Sequence, residues 1–300
     1  MFGVEREAIM TTFVSEPPRS AWQVWPLRLL VFFVVLAAID IGCMIVPAWL
    51  THSIGKHADP TVVVISCAVG IVLLPIAYRL LVRWTEQRRA SELRTGNAVA
   101  LLFAGVAIGV ALFCTVYVVL FLYGAATLNG FGTLDKLPVA LATAAFAAVG
   151  EELVFRGTIY RLLEKGFGTL VAIVLSGGLF GALHAFNPGA TIVSSLAIAF
   201  EAGVLLAAAY VVTRSLWLPI GLHFGWNFTE GGIFGASVSG GHAHGLLNTT
   251  FSGPALITGG AFGPEASIVA VTICVIAALV MLGIAARRGE WKPLSLRWRA

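Results

Sequence analysis

Long apolar runs separated by short polar stretches follow one another along the whole chain. The hydrocarbon core of a bilayer is about 30 Å thick, and a helix needs about 20 apolar residues to cross it. About eight segments near that length predict an all-α, polytopic integral membrane protein, with one bundle of helices and a single membrane domain over residues 1–300. The predicted spans are Leu27–Leu50, Thr61–Val82, Ala98–Gly124, Leu137–Leu163, Leu170–Phe186, Thr191–Thr213, Leu216–Ile233 and Ala266–Ala286.

Composition excludes a water-soluble globule. Hydrophobic residues make up 58% of the chain and charged residues only 11%, with a mean hydropathy of +0.92, so there are too few charges to solvate a soluble surface. The net charge of +4 comes from basic residues clustered between apolar runs rather than along one polar face. We therefore expect the lipid bilayer as a partner and no nucleic acid.

The distribution of Lys and Arg predicts the orientation, because positively charged loops stay in the cytoplasm. With the N-terminus inside, the opposite side keeps only Lys56 and Lys136, and both termini are expected to be cytoplasmic. The loop from Thr229 to Glu265 has no Lys or Arg and is rich in Gly, Ser and Thr, which predicts an exposed, mobile connection. The inside set is Arg6, Arg19, Arg28, Arg79, Arg83, Arg88, Arg89, Arg94, Arg156, Arg161, Lys165, Arg214, Arg287, Arg288, Lys292, Arg297 and Arg299.

The fourth predicted span is the least apolar, because Glu151, Glu152 and Arg156 interrupt it. An ionised carboxylate in the membrane costs several kcal/mol, so each glutamate must be paired, protonated or placed in a wet cavity. Glu152 and Arg156 are four residues apart and share a helix face, which predicts an ion pair, whereas Glu151 points about 100° away. Taken alone, the two carboxylates are explained as well by hydrogen bonds between neighbouring helices as by a functional site.

Two later spans carry further polar residues. His184 lies in the fifth span, and His223 and Asn227 lie four residues apart in the seventh, where they share one helix face. A single histidine among apolar residues is usually a packing residue, but two histidines, an aligned Asn and an unpaired Glu together favour a common polar cavity. Asp40 and Glu201 also lie in spans, and hydrogen bonds between helices are their expected role.

These residues form three motifs that resemble the Rce1-like and Abi intramembrane proteases, also called the CPBP family. Glu151 to Arg156 corresponds to the EExxxR motif, Phe180 to His184 to FxxxH, and His223 to Asn227 to HxxxN/D. The motifs occur in the family's order and the resemblance covers residues 137–233, the expected catalytic core. The family's usual architecture of about eight spans agrees with the count above. Rhomboid-type GxSG and aspartyl-type YD and GxGD motifs are absent.

The resemblance implies an intramembrane endopeptidase with a membrane peptide or protein as its substrate. Glu151 would act as general base on a water molecule that His184 orients, while His223 and Asn227 hydrogen-bond the developing oxyanion. Glu152 and Arg156 would support the site. A bacterial plasma membrane is the expected location, and prenylated C-terminal peptides of the CAAX type are what the best-known relatives cleave.

Two alternatives remain open at this level. Glu151, His184 and His223 could bind zinc together with a water molecule, although the HExxH signature is absent and the favoured interpretation requires no cofactor. A transporter or a membrane scaffold could use the same polar cavity for binding. The substrate and the oligomeric state stay open. At about 1.5 Å per residue, His223 lies about 10 Å and His184 about 20 Å from the cytoplasmic ends of their spans. These different depths do not explain how the two histidines could line one cavity.

Overall fold

The computed structural model describes residues 25–53, 59–241 and 245–295, and helices dominate it. The helices are α1 (Trp25–Ser53), α2 (Pro60–Glu86), α3 (Ala98–Leu122), α4 (Leu137–Val154), α5 (Arg161–Phe167), α6 (Thr169–His184), α7 (Ile192–Ile198), α8 (Leu205–Thr213), α9 (Trp217–Asn227), α10 (Ala255–Thr258) and α11 (Ile268–Arg287). Two strands, β1 (Ala126–Phe131) and β2 (Leu247–Phe251), form a small antiparallel sheet.

The described residues contain three π-helical turns, of which two interrupt long helices and the third extends the end of α9. They are Phe155–Tyr160 between α4 and α5, Ala199–Val204 between α7 and α8, and Phe228–Ile233 directly after α9. Each turn adds a residue to the helical repeat and so changes which face the following side chains occupy, and such turns are frequent at functional sites.

The predicted polytopic membrane fold is confirmed. Every predicted span falls on helix, and six helices within the described ranges are long and apolar enough to cross a bilayer. The other two predicted spans fall on α6, which has 16 residues, and on the helical stretch 217–233. Because 16 residues extend only about 24 Å, the count of eight full crossings stays a prediction.

The outer helices turn large apolar side chains away from the bundle. Leu80 of α2, Leu122 of α3 and Leu279 of α11 are 61%, 78% and 63% exposed. In water such a surface would be an aggregation hazard, whereas in lipid it meets hydrocarbon at no cost. The exposed apolar belt is therefore the surface expected to face the acyl chains.

Glycines bring α3 and α9 into close contact. A Cβ atom added at Gly105 or Gly109 of α3 would lie 2.3 Å and 2.2 Å from backbone oxygens of α9, and Gly221 and Gly225 of α9 face α3 in the same way. Only glycine permits this approach, which is the usual small-residue packing of membrane helices. Because His223 and Asn227 lie on α9, this contact sets the position of half the candidate site.

Ion pairs gather the basic residues at one end of the bundle, which we call the basic end. It comprises the C-terminal end of α2 with residues 86–94, α5, Arg214 and residues 287–292. Arg161 and Lys165 of α5 bind Glu86 of α2. Arg214 and Lys292 bind the buried carboxylate of Glu164 at 2.5 and 2.8 Å.

A second cluster at the basic end centres on Glu92. Arg88 donates two hydrogen bonds of 2.9 Å to its carboxylate, and the Tyr78 hydroxyl donates another. Burial raises the pKa of Glu92, but Arg88 and Arg161 outweigh that effect and hold the pKa below its usual value of 4.5. Glu92 is therefore a charged anchor for the ends of these helices.

The two-stranded sheet of β1 and β2 marks the other end of the bundle, which we call the sheet end. The strands pair from Ala126 opposite Phe251, with an irregular register between Leu128 and Phe131. The connection after α9 returns onto the protein here, so the predicted exposed loop is wrong for its two ends. Glu230 and Glu265 are 0% and 3% exposed, and their carboxylates accept hydrogen bonds from the backbone N–H groups of Glu265 and Ser239, respectively.

Candidate active site

Glu151 and Glu152 lie in the last turn of α4, immediately before the π-helical turn that contains Arg156. The Arg156 guanidinium donates a 2.8 Å hydrogen bond to Glu152 Oε1, and both side chains are almost completely buried. The ion pair expected from their spacing is thus present. Arg156 also donates to the backbone oxygens of Ala202 and Gly203, at 2.9 and 3.1 Å. It therefore ties α4 to the second π-helical turn.

Glu152 makes a second contact that the spacing of motifs does not reveal. Its Oε1 lies 3.0 Å from His223 Nδ1, which joins α4 to α9. Because an ionised carboxylate only accepts hydrogen bonds, Nδ1 carries the hydrogen. In the neutral ring, His223 Nε2 then carries a lone pair and can only accept a hydrogen bond. It becomes a donor only when the ring is protonated.

His184 is held by its own helix. Its Nδ1 lies 2.8 Å from the Phe180 backbone oxygen, and a carbonyl accepts only, so Nδ1 again carries the hydrogen. The neutral ring then presents the Nε2 lone pair. The Phe180 ring packs between the two histidines, with centroids 4.5 Å from His184 and 6.4 Å from His223. Phe180 also lies 4.8 Å beneath the Arg156 guanidinium, a cation–π contact.

Two adjoining cavities bring the four predicted residues together. The larger, of about 550 Å³, is lined by Glu151, His184 and Asn227 among others. The smaller, of about 20 Å³, is lined by His184, His223 and Asn227. The larger volume lies in the range of ligand sites, and the smaller suffices for about one water molecule. His184, Asn227 and Ser239 line both cavities, so the two cavities adjoin at these residues.

Glu151, unlike Glu152, faces the larger cavity. Its Oε2 atom is buried and has no hydrogen-bond partner in the described part of the chain, although the side chain lines the larger cavity. Burying an oxygen of this kind without a partner costs about 1–3 kcal/mol, and more when it is charged. Glu152 Oε2 and Arg156 Nε are also buried without a partner, but neither residue lines either cavity. Glu151 is therefore the unpaired acid of this site that a bound molecule can reach.

A comparison with protein families gives an independent finding. Residues 133–229 match the family model described as Type II CAAX prenyl endopeptidase Rce1-like. The resemblance to the Rce1-like family is confirmed. The matched range contains all three motifs and all four residues that meet at the cavities. A comparison with curated proteins gave no match. The Rce1-like family is a membrane family whose members are generally proteases.

Two further acidic residues line the candidate site, although sequence reasoning gave them no part in it. Glu201 lies in the second π-helical turn and Glu265 in the loop before α11, and both line the smaller cavity. Burial raises the pKa of the Glu265 carboxyl. The position of Glu201 within a predicted span is a sequence signal that could have indicated a role in the site. Glu265 lies in a Gly-rich loop, and its sequence context gives no such signal.

The possible metal ligands of the site do not support the zinc alternative. Between residues 25 and 295, omitting 54–58 and 242–244, no three His, Cys, Asp or Glu side chains are close enough together to hold one metal ion. Glu152 and Phe180 already hold the Nδ1 atoms of the two histidines, which leaves only their Nε2 atoms as donors. Among the described residues, the predicted ligands Glu151, His184 and His223 are therefore not grouped as a metal site.

Proposed function

We propose that the chain is an intramembrane endopeptidase that hydrolyses a peptide bond of a membrane-associated polypeptide. The observation that carries this proposal is the unpaired Glu151 carboxylate oxygen in a cavity shared with His184 and Asn227. Peptide hydrolysis needs a base for water and donors for the oxyanion, in a site that excludes bulk solvent. The three side chains supply those groups.

Glu151 acts as the general base. Its carboxylate accepts a proton from a water molecule that attacks the scissile carbonyl, and later passes that proton to the leaving amine. The His184 Nε2 lone pair accepts the second hydrogen of the same water and orients it, because Nδ1 is held on the Phe180 oxygen. Both side chains line the larger cavity, where the scissile bond is placed.

Asn227 and His223 stabilise the oxyanion. The Asn227 amide donates at any pH, whereas His223 donates through Nε2 only in its protonated form, since Nδ1 is bound to Glu152. The carboxylate of Glu152 stabilises that positive ring, and Arg156 holds the carboxylate in place. Glu152 and Arg156 are thus positioning residues.

The proposal is tested by comparing membrane protein termini in cells that produce the wild type or Glu151→Gln. Glu151→Gln keeps the shape of the side chain and removes the base, so new termini formed in the wild type should disappear. Asp135→Asn is the matched control, because this carboxylate is 63% exposed and lies outside the site. Identical termini in wild type and Glu151→Gln, with equal amounts of protein in the membrane, would contradict the proposal.

A further inference from the structure

Glu201 is an acidic residue buried beside the smaller cavity. Its side chain is 2% exposed and lines that cavity together with His223. In the described part of the chain, its one hydrogen bond is a weak contact of 3.7 Å, which the Cys274 thiol donates to Oε1. The Oε2 atom has no partner there and is not fully enclosed by protein, so it opens onto the cavity.

The π-helical turn that carries Glu201 is tied to the candidate site by Arg156. The guanidinium donates hydrogen bonds to the backbone oxygens of the two residues that follow Glu201. The same guanidinium binds Glu152, which in turn holds Nδ1 of His223. One set of hydrogen bonds therefore positions Glu201 and His223 on the wall of the same cavity.

The surroundings of Glu201 favour its neutral form. A carboxylate without good hydrogen-bond donors costs several kcal/mol inside the membrane, and a thiol is a weak donor. Arg156 is close enough to attract a negative charge at this position, but Glu152 already matches its charge. Glu265 is also close and opposes a further negative charge. Glu201 therefore carries a proton, and its carboxyl group is a hydrogen-bond donor.

The titratable groups around Glu201 come from several elements that pack together here. They are Arg156 of the first π-helical turn, His184 of α6, His223 of α9, Glu230 directly after α9, Glu265 of the loop before α11, and Cys274 of α11. Glu230 accepts a hydrogen bond from the Trp226 indole, and Glu265 accepts one from the Ser239 backbone N–H. Glu201 is the acid among them that has no N–H donor in the described part of the chain.

The smaller cavity has the size for about one water molecule. Its volume is about 20 Å³, and a water molecule needs at least about 10–15 Å³ of such space together with about 2–4 polar partners. Glu201, His223 and Asn227 supply partners on its wall. Because Nδ1 of His223 is bound to Glu152, Nε2 is the ring nitrogen left for the cavity. A water molecule here can accept a hydrogen bond from the Glu201 carboxyl and donate one to this Nε2.

We infer that Glu201 is the proton source of His223, through one water molecule held in the smaller cavity. This inference rests on the proposed peptidase function, in which His223 must be protonated to donate to the oxyanion. As negative charge develops on the substrate oxygen, Glu201 gives its proton to the water while the water gives a proton to His223 Nε2. The carboxyl becomes a carboxylate and the ring an imidazolium, which Glu152 stabilises at Nδ1. The reverse transfer restores both neutral groups when the oxyanion collapses.

The pH dependence of kcat in Glu201→Gln tests the transfer, with a mapped substrate and protein reconstituted in lipid. Glutamine keeps the size of the side chain but cannot release a proton, so kcat should fall by about 100-fold at neutral pH with KM little changed. His223 must then take its proton from solvent, and a histidine in water has a pKa of about 6.5. The ratio of variant to wild-type kcat should therefore rise as the pH falls below neutrality.

A structural role for Glu201 would give a different result. It would lower kcat by the same factor at every pH, and that outcome, or an unchanged kcat, would overturn the inference. Glu290→Gln is the matched control, because this glutamate lies at the basic end, is 40% exposed and pairs with Arg214. Its kcat should stay close to the wild-type value at each pH. Glu201→Asp retains an acid and should keep the wild-type pH dependence at a reduced kcat.

Infrared difference spectroscopy tests the protonation of Glu201 without requiring activity. A protonated carboxyl has a C=O stretching band that a carboxylate lacks, and the difference between wild type and Glu201→Gln in lipid at neutral pH should contain this band. In Glu201→Asp the band should shift rather than disappear, which keeps the test decisive if the glutamine variant does not fold. Difference spectra without a protonated-carboxyl band would overturn the inference.

The two proposals fail in different ways. Glu151-dependent cleavage without a pH-dependent loss of kcat in Glu201→Gln contradicts the proton source and leaves the peptidase function standing. The absence of any Glu151-dependent cleavage contradicts the peptidase function, and with it the transfer to His223, while the infrared band still decides whether Glu201 is protonated.

Discussion

Replacement of Gly109 by alanine should displace the helix that carries His223 and Asn227. A Cβ atom at this position would lie 2.2 Å from the Leu222 backbone oxygen and 2.7 Å from the Trp226 backbone nitrogen. Ordinary contacts begin near 3.4 Å, and backbone atoms cannot rotate away as a side chain does. The α3 and α9 helices must therefore separate by about 1 Å at this point.

The expected size of the effect follows from that displacement. Overpacking of this kind costs about 1–3 kcal/mol of folding free energy. A shift of about 1 Å in groups that contact the reacting atoms lowers the rate by about 100-fold. Gly109→Ala should therefore lower the cleavage rate by about 100-fold, because Asn227 moves relative to Glu151 on α4. The unfolding free energy should fall by about 1–3 kcal/mol.

Gly283→Ala is the matched control. Gly283 lies within α11, and a Cβ atom there would meet nothing within 4 Å. Since alanine favours helix over glycine by about 1 kcal/mol, this variant should be as stable as the wild type or more so. Thermal unfolding in detergent and the rate of Glu151-dependent cleavage are measured for both variants. Equal stability and equal rates for Gly109→Ala and Gly283→Ala would refute the glycine-contact argument.

Three further variants test separate contacts. Arg156→Met should lower the unfolding free energy by about 3–5 kcal/mol, because buried Glu152 loses its cationic partner and keeps only the contact with His223 Nδ1; an unchanged melting temperature would refute that. Asn227→Leu should lower kcat by about 100- to 1,000-fold through loss of an oxyanion donor; a change in KM alone would instead indicate a binding role. Glu92→Gln should cost about 3 kcal/mol at neutral pH. Because the folded-state pKa of Glu92 lies below 4.5, its contribution is present above that pH and disappears as the pH falls further, so the melting temperatures of wild type and variant should converge in acid. A difference that stays constant with pH would contradict this last expectation.

Hydropathy alone predicts the positions of the helices, because each apolar run must satisfy its own backbone hydrogen bonds in lipid. The interruption at Glu151, Glu152 and Arg156 likewise predicts the ion pair, since spacing of four residues places two side chains on one face. The π-helical turns were not predicted, because they follow from packing between helices rather than from apolar periodicity.

The meeting of His184 and His223 could not be derived from the sequence. Counted from the helix ends, the two residues differ in depth by about 10 Å. In the structure, His223 packs against Phe180, one turn before His184, while Asn227 extends one turn further to line the same cavities as His184. The position of α9 depends on the glycine contact with α3, a long-range feature that a single-span pattern does not contain.

The central claim is that Glu151 activates water for peptide hydrolysis in a cavity shared with His184 and Asn227. Its most direct test is the cleavage rate of a mapped substrate by purified wild type and Glu151→Gln, reconstituted in lipid. The account predicts a fall in kcat of about 100- to 10,000-fold, with KM little changed and an unchanged melting temperature. Equal kcat values for the two proteins would contradict it.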